Sequence, residues 1–314
     1  MKLRAYLLML FVVAVWGSTF VVVKGALADA TPAAFNLVRM TLAFAVLGVA
    51  YHRYWRAIRR WQVAAGALVG FCLAFGYQFQ TTGLARTTPS KSAFITGLMV
   101  VMVPLLSTIP GLRPPGARPP RWNAFLGAAL AFIGIVLLTA PAVPASAPAS
   151  LLGQAAHLLP DMTSINLGDV LTLGCALGFA FHCLALSHVS PRIAFQPLAL
   201  LQVGFCAVFM ALSLPLIEHP HIAWTPQVAV ALGVSAVLST AVAFSIQSWA
   251  QSVLPSTHTA LLLTLEPVFA WITSFLVTGE RLGLRPASGA LLILSGIALT
   301  ELMPQPHVLS AHEA

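Results

Sequence analysis

The sequence predicts an all-α polytopic membrane protein of ten transmembrane helices, arranged as two inverted five-helix repeats. Three observations carry this: a shortage of charge, ten apolar runs punctuated by turn chemistry, and an internal match between the two halves. Hydrophobic residues make up 59% of the 314, charged residues 8%, and the mean hydropathy is +0.90. A soluble domain is nearer a quarter charged. A chain this poor in charge cannot cover a water-facing surface, whereas in lipid apolar side chains face outward around each helix.

The runs follow in order. Residues 5–24, 33–51, 62–84, 90–110 and 122–140 form the first five, and 168–187, 195–217, 227–249, 256–278 and 286–303 the second five. Each approaches or exceeds the roughly 18 apolar residues that a bilayer crossing needs. Turn chemistry divides them at Asp29 to Pro32, Thr87 to Pro89, Arg113 to Gly116, Ser190-Pro191 and Glu218 to Pro220. The expected organisation is a first repeat at 1–140, a flexible Pro/Ala/Ser-rich linker at 141–167, a second repeat at 168–303 and a cytoplasmic tail at 304–314. Leu151 to Leu159 is a candidate short interfacial helix within the linker. The first run is read as a retained helix rather than a signal peptide, because its apolar stretch is long and Lys24 stands where small residues belong.

Charge placement sets orientation. With the N-terminus inside, cytoplasmic segments hold ten basic residues: Lys2, Arg4, Arg53, Arg56, Arg59, Arg60, Arg113, Arg118, Arg121 and Arg192. The opposite side holds five, Lys24, Arg86, Lys91, Arg281 and Arg285, and Arg39 falls within a span. This asymmetry obeys the positive-inside rule and puts both termini in the cytoplasm. It also accounts for the net charge of +8 without nucleic acid, since the basic residues lie between apolar runs and form no aromatic-interleaved patch. The four cysteines, Cys72, Cys175, Cys183 and Cys206, all fall inside apolar runs with no metal-type spacing, and are read as buried reduced thiols.

A shift of 167 residues carries the third and fourth spans onto the eighth and ninth without a gap. Gly66 then meets Gly233, Tyr77 meets Phe244, Gln80 meets Gln247 and Leu98 meets Leu265. Ser90-Lys91-Ser92-Ala93 likewise meets Thr257-His258-Thr259-Ala260, while Pro32 and Pro197 open the second and seventh spans at a slightly different offset. Five spans per half is an odd number, so the second half starts on the opposite side of the membrane. Inverted repeats of this kind support alternating access, with substrate bound at the repeat interface near the midplane.

Several segments resemble the EamA-type transporters of the drug/metabolite transporter superfamily. They are Trp16-Gly17-Ser18-Thr19-Phe20, Gln80-Thr81-Thr82-Gly83-Leu84-Ala85, Ser90-Lys91-Ser92-Ala93-Phe94 with Pro104 beyond it, Leu265-Glu266-Pro267-Val268-Phe269, and Gly279-Glu280-Arg281-Leu282. The resemblance covers about 5–303 and implies a secondary transporter in the bacterial inner (plasma) membrane, with a central cavity between the halves. Many such proteins export amino acids, metabolites or toxic compounds. The long linker and His258 depart from the pattern. Expected partners are a small-molecule substrate and the lipid bilayer, with a homodimer allowed and no cofactor, metal or nucleic acid.

Ionisable residues within spans are costly and are the default functional candidates. Glu266 lies about nine residues, roughly 14 Å, into its predicted span. It either couples substrate or proton movement or specifies helix packing. Arg39, about 9 Å from the outer surface, either lines a cavity or snorkels. Lys24 and Lys91, at span ends, are read as snorkelling. Trp16, mid-span, is a cavity-wall candidate, since tryptophan otherwise favours the interfaces. Gln80 and Gln247 bind substrate or glue helices together, and His182 is read as a buried neutral histidine. Gly70, Gly76, Gly174 and Gly178 permit close helix contact. Pro104 and Pro267 are helix-bend candidates, Pro267 because it leaves a carbonyl one turn earlier without its amide partner.

A membrane-embedded enzyme, a membrane sensor or scaffold, and an ATP-driven pump are the alternatives. No GxSxG, HExxH or paired-carboxylate pattern is present, no sizeable soluble domain is evident, and no GxxxxGK[ST] loop appears.

Overall fold

The computed structural model describes residues 2–113, 121–139, 166–250, 254 and 262–302. The elements are α1 (Lys2–Ala26), α2 (Pro32–Ala50), α3 (Arg60–Leu84), α4 (Pro89–Leu106), α5 (Trp122–Thr139), α6 (Leu167–Val189), α7 (Phe195–Ile217), α8 (Pro226–Ala250), α9 (Glu266–Thr278) and α10 (Leu284–Leu302). Among the described residues seven helices, α1 to α4 and α6 to α8, are long and apolar enough to cross a membrane, and α5, α9 and α10 are apolar but shorter. The linker at 141–165 with its candidate helix, Arg118, His258 and the tail at 304–314 lie outside the described residues.

Local chemistry explains several helix starts. Thr-Pro opens three of them. Pro32, Pro89 and Pro226 each occupy the first turn, where a missing N–H costs nothing. The Thr88 and Thr225 hydroxyls accept from the amides of Lys91 and Val228. Asn166 caps α6 by accepting from the Gly168 amide at 2.7 Å.

The exterior is apolar and the interior holds the polar groups, the reverse of a soluble protein. Leu216, Leu276 and Phe132 are 87%, 73% and 69% exposed, whereas Arg39 and Asp169 are each 3% exposed and Gln202 and Ser235 are fully buried. Lipid is the solvent that fits such a surface. Inside, Gly70 lies against Gln202 and Phe205, Gly76 against Phe179, and Gly174 against Phe79, each too close to admit a Cβ.

Related elements pack as related elements should. On α5 and α10, a Cβ on Gly134 would fall 2.6 Å from the Gly289 carbonyl, and one on Gly296 would fall 2.4 Å from the Gly127 carbonyl. As residue numbers rise along α5 they fall along α10, so the two helices run in opposite directions. Gly296→Val should therefore separate them, lowering the melting temperature of the purified protein. The expected cost is at least about 2 kcal/mol, the scale of overpacking where backbone must move, and an unchanged melting curve would contradict the contact.

The fourth helix of each half is interrupted at an equivalent place. α4 breaks at Gly97-Leu98, and a turn at Thr264-Leu265 precedes α9, the same 167-residue shift. The hydrogen bonds agree as well: Leu98 N–H donates to Ile95 O and Met102 N–H to Leu98 O, while Leu265 N–H donates to Leu262 O and Phe269 N–H to Leu265 O. The breaks also touch, since a Cβ on Gly97 would sit 3.1 Å from Cγ of Pro267. This revises both bend candidates. The interruption of α4 lies at Gly97-Leu98, before Pro104, and Pro267 occupies the first turn of α9. The first half breaks identically with Val100 in the proline's place, so the proline is not the cause of the interruption.

Candidate functional site

A cavity lies between the halves, walled by α1, α2, α3 and α4 from the first and by α6, α8 and α9 from the second. All six predicted substrate or coupling candidates, Trp16, Arg39, Gln80, His182, Gln247 and Glu266, line it. The equivalent glutamines, Gln80 and Gln247, both reach the wall, and so do Tyr77 and Phe244, whose ring centres are 6.5 Å apart.

Arg39 is turned inward, which settles its placement against snorkelling. Its Nε donates to Thr240 Oγ1 at 3.0 Å, and Nη2 donates to Tyr77 Oη and Ser239 Oγ, each at 3.1 Å. The guanidinium carbon also stands 4.4 Å from the Tyr77 ring centre, a cation–π distance. One side chain thus ties α2 to α3 and α8. A π-helical stretch, Val234–Val242, lies in the middle of α8 and presents Ser239 and Thr240 to the same arginine. Such widened turns concentrate at functional sites.

The Trp16-Gly17-Ser18 segment is a junction. Trp16 Nε1 donates to the Ser239 carbonyl at 2.8 Å, and its ring lies 5.6 Å from that of Phe244. Gly17 lets α1 approach the start of α9, where a Cβ would come within 2.7 Å of the Glu266 carbonyl. Ser18 Oγ is 3.1 Å from Thr273 Oγ1. The segment therefore joins α1 to α8 and α9 of the cavity wall.

Glu266 is the first residue of α9, directly after the break, and its side chain lines the cavity. Among the described residues its carboxylate makes no hydrogen bond or ion pair, and none joins it to Arg39. By the repeat shift its counterpart is Met99, which lines the same cavity. Gln247 is 6% exposed, and its Oε1 is buried without a hydrogen-bond partner among the described residues. His182 is 5% exposed, with Nε2 2.9 Å from Gln202 Oε1 and its ring 6.0 Å from Phe244.

Tyr77, Ser239, Thr240 and Gln202 were absent from the sequence candidates. Tyr77 precedes Gln80 by three positions, and Phe244 precedes Gln247 by three, so each pair shares a helix face. That spacing was the available signal. Nothing in the sequence marks Ser239 and Thr240 as the arginine's partners, since both belong to a π turn. The lysine readings also change. Lys24 Nζ donates to the carbonyls of Leu84 and Ala85 at 2.8 and 3.0 Å, capping α3, and Lys91 Nζ lies 3.8 Å from Asp169 Oδ2.

The sequence pattern of the EamA-like transporter family matches residues 3–140 and again residues 166–302. An uncharacterized transporter of Archaeoglobus fulgidus is 30% identical over 301 residues, covering 96% of this chain and 87% of that protein. A solved crystal structure aligns with a TM-score of 0.63 over 96% of this chain and 98% of the other, at 17% identity, a likeness of fold.

Proposed function

The chain belongs to the EamA-like transporter family and is a membrane transporter, and from that premise we propose that it is a secondary transporter, acting as an exporter of a small metabolite, amino acid or drug-like compound by alternating access. The supporting observation is the cavity between the halves, whose wall takes Gln80 with Gln247 and Tyr77 with Phe244 from equivalent positions. A site shared by both repeats is what a rocking pair of halves exposes first to one side and then to the other. Its aromatic walls with a few polar points suit an amphipathic ligand.

In this reading α5, α9 and α10 complete ten spans with the seven longer helices, the protein lies in the plasma membrane, and both termini are cytoplasmic. The repeats are 1–140 and 168–303. Arg39, held by three hydroxyls and a tyrosine ring, orients the ligand's polar end. Glu266, without a hydrogen-bond or ion-pair partner among the described residues, is the group that exchanges a proton as the cavity changes sides.

Thermal stabilisation of the purified protein across a metabolite library tests this, followed by counterflow in proteoliposomes. A compound that raises the melting temperature should also exchange across the membrane. Chemical turnover of that compound without translocation would overturn the reading.

A further inference from the structure

Beyond the cavity, the structure holds a polar clamp at the face where α1 ends, and its counterpart position carries the opposite charge. The segment from Arg86 to Lys91, which leads into α4, is gripped by two carboxylates of the second half. Asp169, 3% exposed, accepts from the Thr87 hydroxyl and lies beside Lys91. Glu280 Oε2 accepts from Ser90 Oγ at 2.8 Å, from the Ser90 amide at 3.4 Å and from Ser274 Oγ. Glu280 can reach back because Gly279, at φ +70°, ends α9 in the left-handed conformation that glycine adopts without cost. One carboxylate thus ties the end of α9 to the beginning of α4. A negative group at a helix N-terminus is also favoured by the helix dipole.

The 167-residue shift carries Ser107 onto Ser274 and Arg113 onto Glu280. Each pair is in contact, but through different atoms: Arg113 Nε donates to the Ser107 backbone carbonyl at 2.9 Å, whereas Glu280 accepts from the Ser274 hydroxyl. Ser90 corresponds in turn to Thr257. Arginine only donates hydrogen bonds. It cannot accept from a hydroxyl or from the first amides of a helix, and its charge opposes the dipole there. The contact that Glu280 makes has no chemical equivalent at Arg113.

We propose that Glu280 is the latch of one mouth of the transport pathway, and that Arg113, which only donates, does not form the same latch at the opposite mouth, so that the resting carrier is closed on the face where α1 ends. The inference rests on the alternating-access reading. Lys24, capping α3 at Leu84 beside the cavity residues Val23 and Leu84, places the clamped segment next to that end of the cavity.

Labelling of Cys183, which lines the cavity, tests the latch once Cys72, Cys175 and Cys206 are replaced by alanine. A membrane-impermeant maleimide is applied to right-side-out and to inverted vesicles. The expected result is labelling from the Arg113 face, with little from the Glu280 face. Glu280→Ala should raise the rate from the Glu280 face by about tenfold, the scale of losing hydrogen bonds to a charged acceptor. Glu280→Gln should restore part of the closure. Ser90→Ala removes one bond without changing charge and should move the rate in the same direction, which serves if Glu280→Ala does not fold. Arg113→Glu should slow labelling from its own face. Fastest labelling of the unaltered latch from the Glu280 face, or rates insensitive to both Glu280→Ala and Ser90→Ala, would overturn the proposal alone. Absence of labelling from either face in every variant would overturn the pathway reading together with it.

Discussion

Replacing Arg39 with methionine should abolish transport and lower the stability of the purified protein. The side chain makes three hydrogen bonds, to Thr240, Tyr77 and Ser239, and so joins three helices around the cavity. Polar contacts between membrane helices are worth about 0.6 kcal/mol each on average, so losing three costs about 2 kcal/mol. The functional loss should exceed what that stability change explains, because Arg39 is the one arginine or lysine among the described lining residues. Substrate binding is expected to weaken by about tenfold or more, the 1.4 kcal/mol equivalent of one charged contact. Arg39→Lys should fail to rescue, since a point donor cannot serve Nε and Nη2 partners on two helices at once. Binding and melting temperature measured together check this. Full transport activity in Arg39→Met would remove the arginine from the site.

Glu266→Gln should uncouple transport from the proton gradient while leaving exchange intact. The glutamine keeps the shape and hydrogen-bonding reach of the carboxyl but cannot release a proton. In proteoliposomes the wild-type flux should respond to an imposed pH difference, and the variant's gradient-driven flux should fall by about tenfold or more. Substrate-for-substrate counterflow, which needs no net proton movement, should persist. An unchanged pH profile would reduce Glu266 to a packing residue. Its lack of any partner among the described residues argues for the coupling role, since a carboxylate serving packing would be hydrogen-bonded.

Much of the fold was legible because lipid simplifies the code. Apolar runs and Thr-Pro punctuation placed α2, α3, α7 and α8 within a few residues of their observed bounds. The six cavity candidates were legible from depth and from the paired glutamines. Helix interruptions were not. Nothing in Gly97-Leu98 or Thr264-Leu265 reads as a stop, and the nearby prolines drew attention to the wrong positions. The arginine's partners were hidden for a similar reason, since a π turn changes which residues share a face and the 3.6-residue period does not foresee it. Lys24 and Lys91 looked like snorkelling side chains because sequence shows distance from a helix end and not the carbonyls or carboxylate waiting there.

The matched interruptions of α4 and α9 separate architecture from selectivity. Two unlike sequences, Gly97-Leu98-Met99-Val100 and Thr264-Leu265-Glu266-Pro267, produce the same backbone and deliver one side chain each, Met99 and Glu266, to the same chamber. These two positions are equivalent sockets in the backbone. Exchanging what fills them, with the acid at residue 99 and methionine at residue 266, should therefore leave the scaffold intact, an outcome that the melting curve of the doubly substituted protein would check.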